Sequence, residues 1–238
     1  MLMLKISNKE VKLLATNSIH FMKFYLDEEL SIEDLHKKIF NSESENEDKF
    51  ILNDYTDFII DGYYIYYYNS KEIIYNEYTS SLEETIIKKN TIIPFSIDVE
   101  NNILDIWSNN INVNRLVLKI GIMLNHKVKI DLIQIDLEKI LVKLNKNNNI
   151  KVGNVKIENY LLENDIVANC NFDLKNHNNP LDILKKYLKN LVKVTLMILD
   201  GEENITMIIY KSGSVVVYKA RQEISLETLD LIRDICIR

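Results

Sequence analysis

The chain has 238 residues, 47% of them apolar and 27% charged, a balance that excludes intrinsic disorder and allows one large or two small domains to bury a core. A net charge of −6 disfavours a protein that holds nucleic acid by bulk electrostatics. The two cysteines, Cys170 and Cys236, have neither metal-ligand spacing nor a disulfide framework, no apolar run approaches the ~20 residues of a membrane span, and MLMLKISNKE lacks the apolar stretch of a signal peptide, so a soluble intracellular protein is expected.

In chain order, Val11 to Leu26 reads as one or two strands, after which Ser31 caps a helix over Ile32 to Phe40. Asn41 to Asp48, NSESENED, is polar and acidic and reads as a loop. Tyr63 to Tyr78 predicts a hairpin turning at Asn69-Ser70, and Ser81 to Lys89 a helix behind it. Ile92 to Trp107 predicts a second hairpin, turning at Asn101-Asn102, with Val113 to Leu124 helical behind it. Val128 to Ile135 and Gly153 to Leu162 read as strands around a Leu137 to Leu144 helix. Between them Lys146 to Asn149, KNNN, is the best boundary, dividing an acidic α+β domain of hairpin-helix units, 1–147, from a second α+β domain, 148–238. From Lys151 onward there are twelve Lys or Arg and twelve Asp or Glu, so the acidity lies in the first 150 residues and a local basic face is open only to the second domain.

The ending is strand, turn, strand, helix. Thr206 to Tyr210 and Val215 to Tyr218 flank Lys211-Ser212-Gly213-Ser214, where Gly213 can supply the positive φ of a tight connection. Ser225 is a good N-cap, and Leu226, Leu229, Ile232 and Ile235 follow at helical spacing. The segment ITMIIYKSGSVVVYKAR resembles the end of one repeat of the TATA-box-binding protein family. Working backwards, Asn164 to Leu174 is similar to that family's first strand, Pro180 to Leu188 to its short first helix and Val192 to Leu199 to its next strand; the resemblance covers about a third of the chain. The expected fold class is therefore α+β, with antiparallel sheets covered by helices on one face and a TATA-binding-protein-like repeat at the C-terminus. Because the family's saddle is built from two halves, and Phe95 to Trp107 plus the following helix repeats the hairpin-helix order, residues 1–147 could be a diverged first half.

The resemblance implies a nucleic-acid face carrying Asn169, Asn171, Lys193, Tyr210, Lys211, Val216, Tyr218, Lys219 and Arg221. The family's kink-inducing phenylalanine falls on Tyr210, while its partner position falls near Val192 or Lys193 and is not aromatic. The minor-groove asparagine falls on Asp165, whose charge would repel phosphates, which argues against ordinary TATA recognition. The implied function is a non-enzymatic, DNA-associated transcription factor of a virus or archaeon, with double-stranded DNA as partner. The alternative is a protein-interaction subunit of a transcription or phage-defence complex that keeps the fold without binding DNA. A single recognisable half could also be completed by a second copy in a homodimer.

Other constellations carry less. The tyrosines Tyr63, Tyr64, Tyr66, Tyr67 and Tyr68 invite base stacking, but in an alternating strand they divide between two faces. His20, His36, His126 and His177 are scattered, and there is no phosphate-cradling loop or nucleophile elbow, so no cofactor, metal or catalytic residue is assigned. Asp98, Glu100 and Asp105, or Asp131, Asp136 and Glu138, would be the ligands if the chain were a Mg-dependent nuclease.

Overall fold

The computed structural model describes residues 17–27, 30–40, 48–56, 58–144, 149–163, 165–177 and 180–237. The first part of the chain forms β1 (Asn17–Leu26), α1 (Ile32–Phe40), β2 (Asp48–Tyr55), β3 (Ile59–Asn76), β4 (Ser81–Asp98), β5 (Ile103–Trp107) and α2 (Asn110–Met123). Ser31 starts α1 as a reciprocal cap: its hydroxyl accepts from the Asp34 N–H at 3.1 Å, and the Asp34 carboxylate accepts from the Ser31 N–H at 3.2 Å. Asn109 caps α2, accepting from the Asn112 N–H at 3.1 Å. The loop expected at 41–48 and the strand start expected before residue 17 fall largely outside the described residues.

Two expectations fail in the same place. Asn69-Ser70 is not a turn, because β3 runs straight through it to Asn76, and Ser81 to Lys89 is strand rather than helix. The strands pair residue by residue from Ile59↔Asp98 to Asn76↔Ser81, and the chain reverses over residues 77–80, where Ser80 takes φ 50°. Asn69 and Ser70 have no glycine to supply a positive φ, and the β-branched run Thr85-Ile86-Ile87 favours extended backbone. The second hairpin turns where expected, with Asn102 at φ 55°.

The second part forms β6 (Val128–Leu132), α3 (Leu137–Leu144), β7 (Ile150–Leu161), β8 (Val167–Asp173), α4 (Pro180–Leu184) continued by a 3₁₀ segment to Asn190, β9 (Leu191–Asp200), β10 (Glu203–Tyr210), β11 (Ser214–Val217) and α5 (Leu226–Ile237). The strands join one antiparallel sheet in the order β2-β3-β4-β5-β1-β11-β10-β9-β7-β8. On one edge β1 pairs with β5; on the other it pairs with β11 over Asn17 to His20 and with β6 over Met22 to Leu26. The boundary expected at Lys146 to Asn149 lies mostly outside the described residues, and the sheet is continuous across β1 and β11.

Because side chains alternate along a strand, β1 feeds two cores. Ile19 and Phe21 enter one with Trp107, the inner residues of β7 and β9 to β11, and the apolar faces of α3 and α5. Met22 and Phe24 enter the other with Leu104, Ile106, Phe95 and the apolar faces of α1 and α2. Among the described residues each half is thus covered by helices on one face, and the covered face differs between the halves. The uncovered faces consequently lie on opposite sides of the sheet and do not merge into one concave surface.

Candidate nucleic-acid interface

The open face of β7 to β11 is set by parity. Along β9, Val194, Leu196 and Ile198 are buried, while Lys193, Thr195 and Met197 are partly open. Cross-strand register then lines up Asn171, Lys156, Lys193 and Tyr210 as one row across β8, β7, β9 and β10. A second row runs Thr195, Ile208, Val216 and Ser18. Tyr218 lies beside a third, its N–H donating to the Thr206 carbonyl at 3.0 Å next to Met197 and Lys151. Five strands at about 4.8 Å spacing make this face roughly 19 Å wide.

At one end of the first row Lys211 and Ser212, in the β10–β11 turn, join Gln134, Glu158 and Val192 around a cleft of about 670 Å³ that also contains Lys156, Lys193 and Tyr210. The turn is seated by Gly213, at φ 96°, where an added Cβ would lie 2.5 Å from the Ile133 carbonyl. Lys156 reaches Glu158 at 2.5 Å, which offsets part of the positive charge. Asn169 is turned to the backbone, accepting from the Asn159 N–H at 3.0 Å, so Asn171 is the freer of the two asparagines. Asp165 sits at φ 67° in the turn before β8, at the sheet corner rather than on the face.

Lys219 and Arg221 do not join this surface. Odd-numbered residues beyond β11 point to the helix side, where Lys219 lies 3.1 Å from both Asp200 and Glu203, and those carboxylates hold its ammonium above the ordinary value. Asp200 is itself anchored to the start of α5 by the Ser225 and Thr228 hydroxyls. Arg221 pairs with Asp61 of β3 and lies over the Trp107 ring, 5.8 Å from its centroid.

The other sequence candidates separate. Tyr64 and Tyr66 are buried, donating to Asp48 at 2.8 Å and to Asn112 at 3.0 Å, and Arg115 stacks 3.7 Å over Tyr66; Tyr63 and Tyr67 face the other way. Asp98 accepts from the Asn101 N–H, Asp131 pairs with Lys129 and Asp136 caps α3, so neither acidic triplet converges. Among the described residues no group of three or more His, Cys, Asp or Glu could hold a metal, and no helix is long and apolar enough to cross a membrane.

Sequence reasoning missed a second site, behind the first half of the sheet. A cavity of about 300 Å³ lies between β1, β4 and β5 and the segment 221–233, lined by Ser96, Asp105, Trp107, Arg221, Leu229 and Arg233 among others. Asp105 is 3% exposed, and its Oδ2 accepts from Arg233 Nε at 2.8 Å; burial pushes its carboxyl above the ordinary value despite that partner. The signal was present in ILDIW, a carboxylate between apolar residues in a strand buried on both faces. No protein-family model matches the chain and no curated protein matches it, so the basic row around Tyr210 and this cavity are the features from which function must be argued.

Proposed function

We propose that the chain is a non-enzymatic, DNA-associated protein, a diverged relative of the TATA-box-binding protein family, that meets duplex DNA with the open face of β7 to β11. The observation carrying this reading is the convergence of Lys156, Lys193 and Lys211 around Tyr210 on an uncovered sheet face. With the first half covered on that side, contact is confined to one half-sheet, and Tyr210 has no aromatic partner for a paired wedge. Binding is then mainly to phosphates, with about three lysines giving a log-affinity slope against log salt of roughly −2 to −3. Fluorescence anisotropy with AT-rich and GC-rich duplexes at two salt concentrations tests it, comparing wild type, Lys193→Ala with Tyr210→Ala, and Lys71→Ala as a surface control. Salt-sensitive binding lost only in the double variant supports the reading. Absence of binding at low salt, or binding indifferent to the pair, overturns it.

A second reading, a protein-interaction module, is favoured by the β3–β4 arm. Among the described residues the two strands pair only with each other beyond Tyr66, so ten residues of β3 project about 33 Å past the other described strands. The arm exposes Ile73 and Leu82 at 72% and Ile86 at 64%, more apolar surface than a lone ribbon carries comfortably in water. The occupant proposed is a second copy of this chain. Light-scattering mass supports that if the intact protein is a dimer and an armless variant a monomer; a monomeric intact protein overturns it.

A further inference from the structure

The cavity behind β4, β5 and β1 has the features of a built site. Two buried side-chain atoms among the described residues lack any hydrogen-bond partner, Asp105 Oδ1 and Arg221 Nε, and both residues line this cavity. One is an acceptor awaiting a donor and the other a donor awaiting an acceptor, a costly arrangement unless a bound molecule completes both. They lie more than a hundred residues apart, Asp105 in β5 and Arg221 in the segment before α5, so only the folded sheet creates the pair.

The charges around it lean negative, with Asp61, Asp105 and Asp230 against Arg221 and Arg233. Arg233 pairs with Asp105 and Arg221 with Asp61, which leaves no free cation for a phosphate or carboxylate. Apart from Ser96 and Asp230 the remaining wall is apolar, with Ile19 and Phe21 from β1 facing Leu226, Leu229 and Ile232 from the helix side. At about 300 Å³ the volume stands at the small end of ligand pockets. A sugar would bring a ring of hydroxyls to a mainly apolar wall, whereas a flat heterocycle offers a donor beside an acceptor on one edge and apolar faces elsewhere.

We propose that this cavity binds an uncharged planar heterocycle of the nucleobase class, which donates to Asp105 Oδ1 and accepts from Arg221 Nε. The site lies on the opposite side of the sheet from Lys193 and Tyr210, so it does not rest on the DNA-association reading and a base reaching it does not belong to a duplex on that face. Two sources share the chemistry: a free nucleoside, or a base presented by a single strand.

Isothermal titration calorimetry with guanosine, adenosine, cytidine and uridine, a short mixed-sequence single strand, and glucose tests it. Arg221→Lys removes the Nε donor while retaining a cation for Asp61, and Asp105→Asn replaces the carboxylate at nearly constant volume. The expected result is one site per chain for at least one nucleoside, or for the single strand alone if the base is presented by a polymer, weakened at least about tenfold by each substitution. Arg221→Lys should meanwhile melt close to wild type, and Lys71→Ala should bind unchanged. No binding of nucleoside or single strand at millimolar concentration, binding that survives both substitutions, or equal binding of glucose overturns the proposal.

Discussion

Replacing Arg233 by Met strands the Asp105 carboxylate in the sheet. Asp105 sits opposite Ser96 and Phe21 in register, 3% exposed, and in the intact protein its Oδ2 takes both Nε and a terminal nitrogen of Arg233. Breaking a buried pair from one side costs ~3 to 5 kcal/mol because the partner's charge stays buried. The Arg233 side chain is still 25% exposed, so water reaches that end and the lower figure, about 3 kcal/mol, is expected. For a chain of this size that is roughly 6 to 12 °C in Tm. Removing both charges with Asp105→Leu and Arg233→Met should cost less than Arg233→Met alone, with a coupling of about 2 kcal/mol in urea unfolding. A proton signature accompanies it. Burial raises the Asp105 pKa in the folded state, so between the ordinary carboxylate value and the raised one the folded chain holds a proton that the unfolded chain has lost. Stability therefore falls as pH rises through that window and levels off above it, and the difference between wild type and Asp105→Asn isolates this slope. Strictly additive single costs, or a wild-type minus Asp105→Asn difference that is flat with pH, would refute the reasoning.

Gly213→Ala should destabilise by about 2 kcal/mol or more in chemical denaturation, since the site combines φ 96° with a Cβ position 2.5 Å from the Ile133 carbonyl. Replacing Asn69 to Lys88 by a tight Asn-Gly turn should leave the melting temperature nearly unchanged, because no buried core residue lies between Tyr66 and Ile93; a large loss would mean that the arm supports the fold. Asn109→Ala removes the α2 cap and should cost about 1 kcal/mol by urea titration. Burial raises the Cys236 thiol far above its ordinary value, so at neutral pH a thiol reagent should label Cys170 and spare Cys236 until the chain unfolds.

Where local chemistry was strong, the elements were legible. Ser31 with Asp34, Asn101-Asn102, and Gly213 between two β-rich runs each placed a boundary, because a cap or a positive φ is decided within a few residues. The helix expected at Ser81 to Lys89 failed because its polar and apolar residues suit either period, and the pairing with β3 that settles it lies 5 to 21 residues upstream. On the open face of β7 to β11, Lys193, Tyr210, Val216 and Tyr218 lie together as strand parity requires, while Lys219 and Arg221 lie beyond the strand, where ion pairs with Asp200 and Asp61 decide direction.

The sequence by itself determined an α+β chain of antiparallel strands, its acidic first part and the alternation that separates buried from open residues on strands such as β9 and β10. Only the tertiary structure decided that β1 is shared by two cores, that the helices of the two halves cover opposite faces, and that Asp105 meets Arg221 and Arg233 across more than a hundred residues. Periodicity fixes which residues face together along one strand, but the side of the sheet on which a helix packs, and which distant strand lies beside it, depends on the burial gained by the whole sheet.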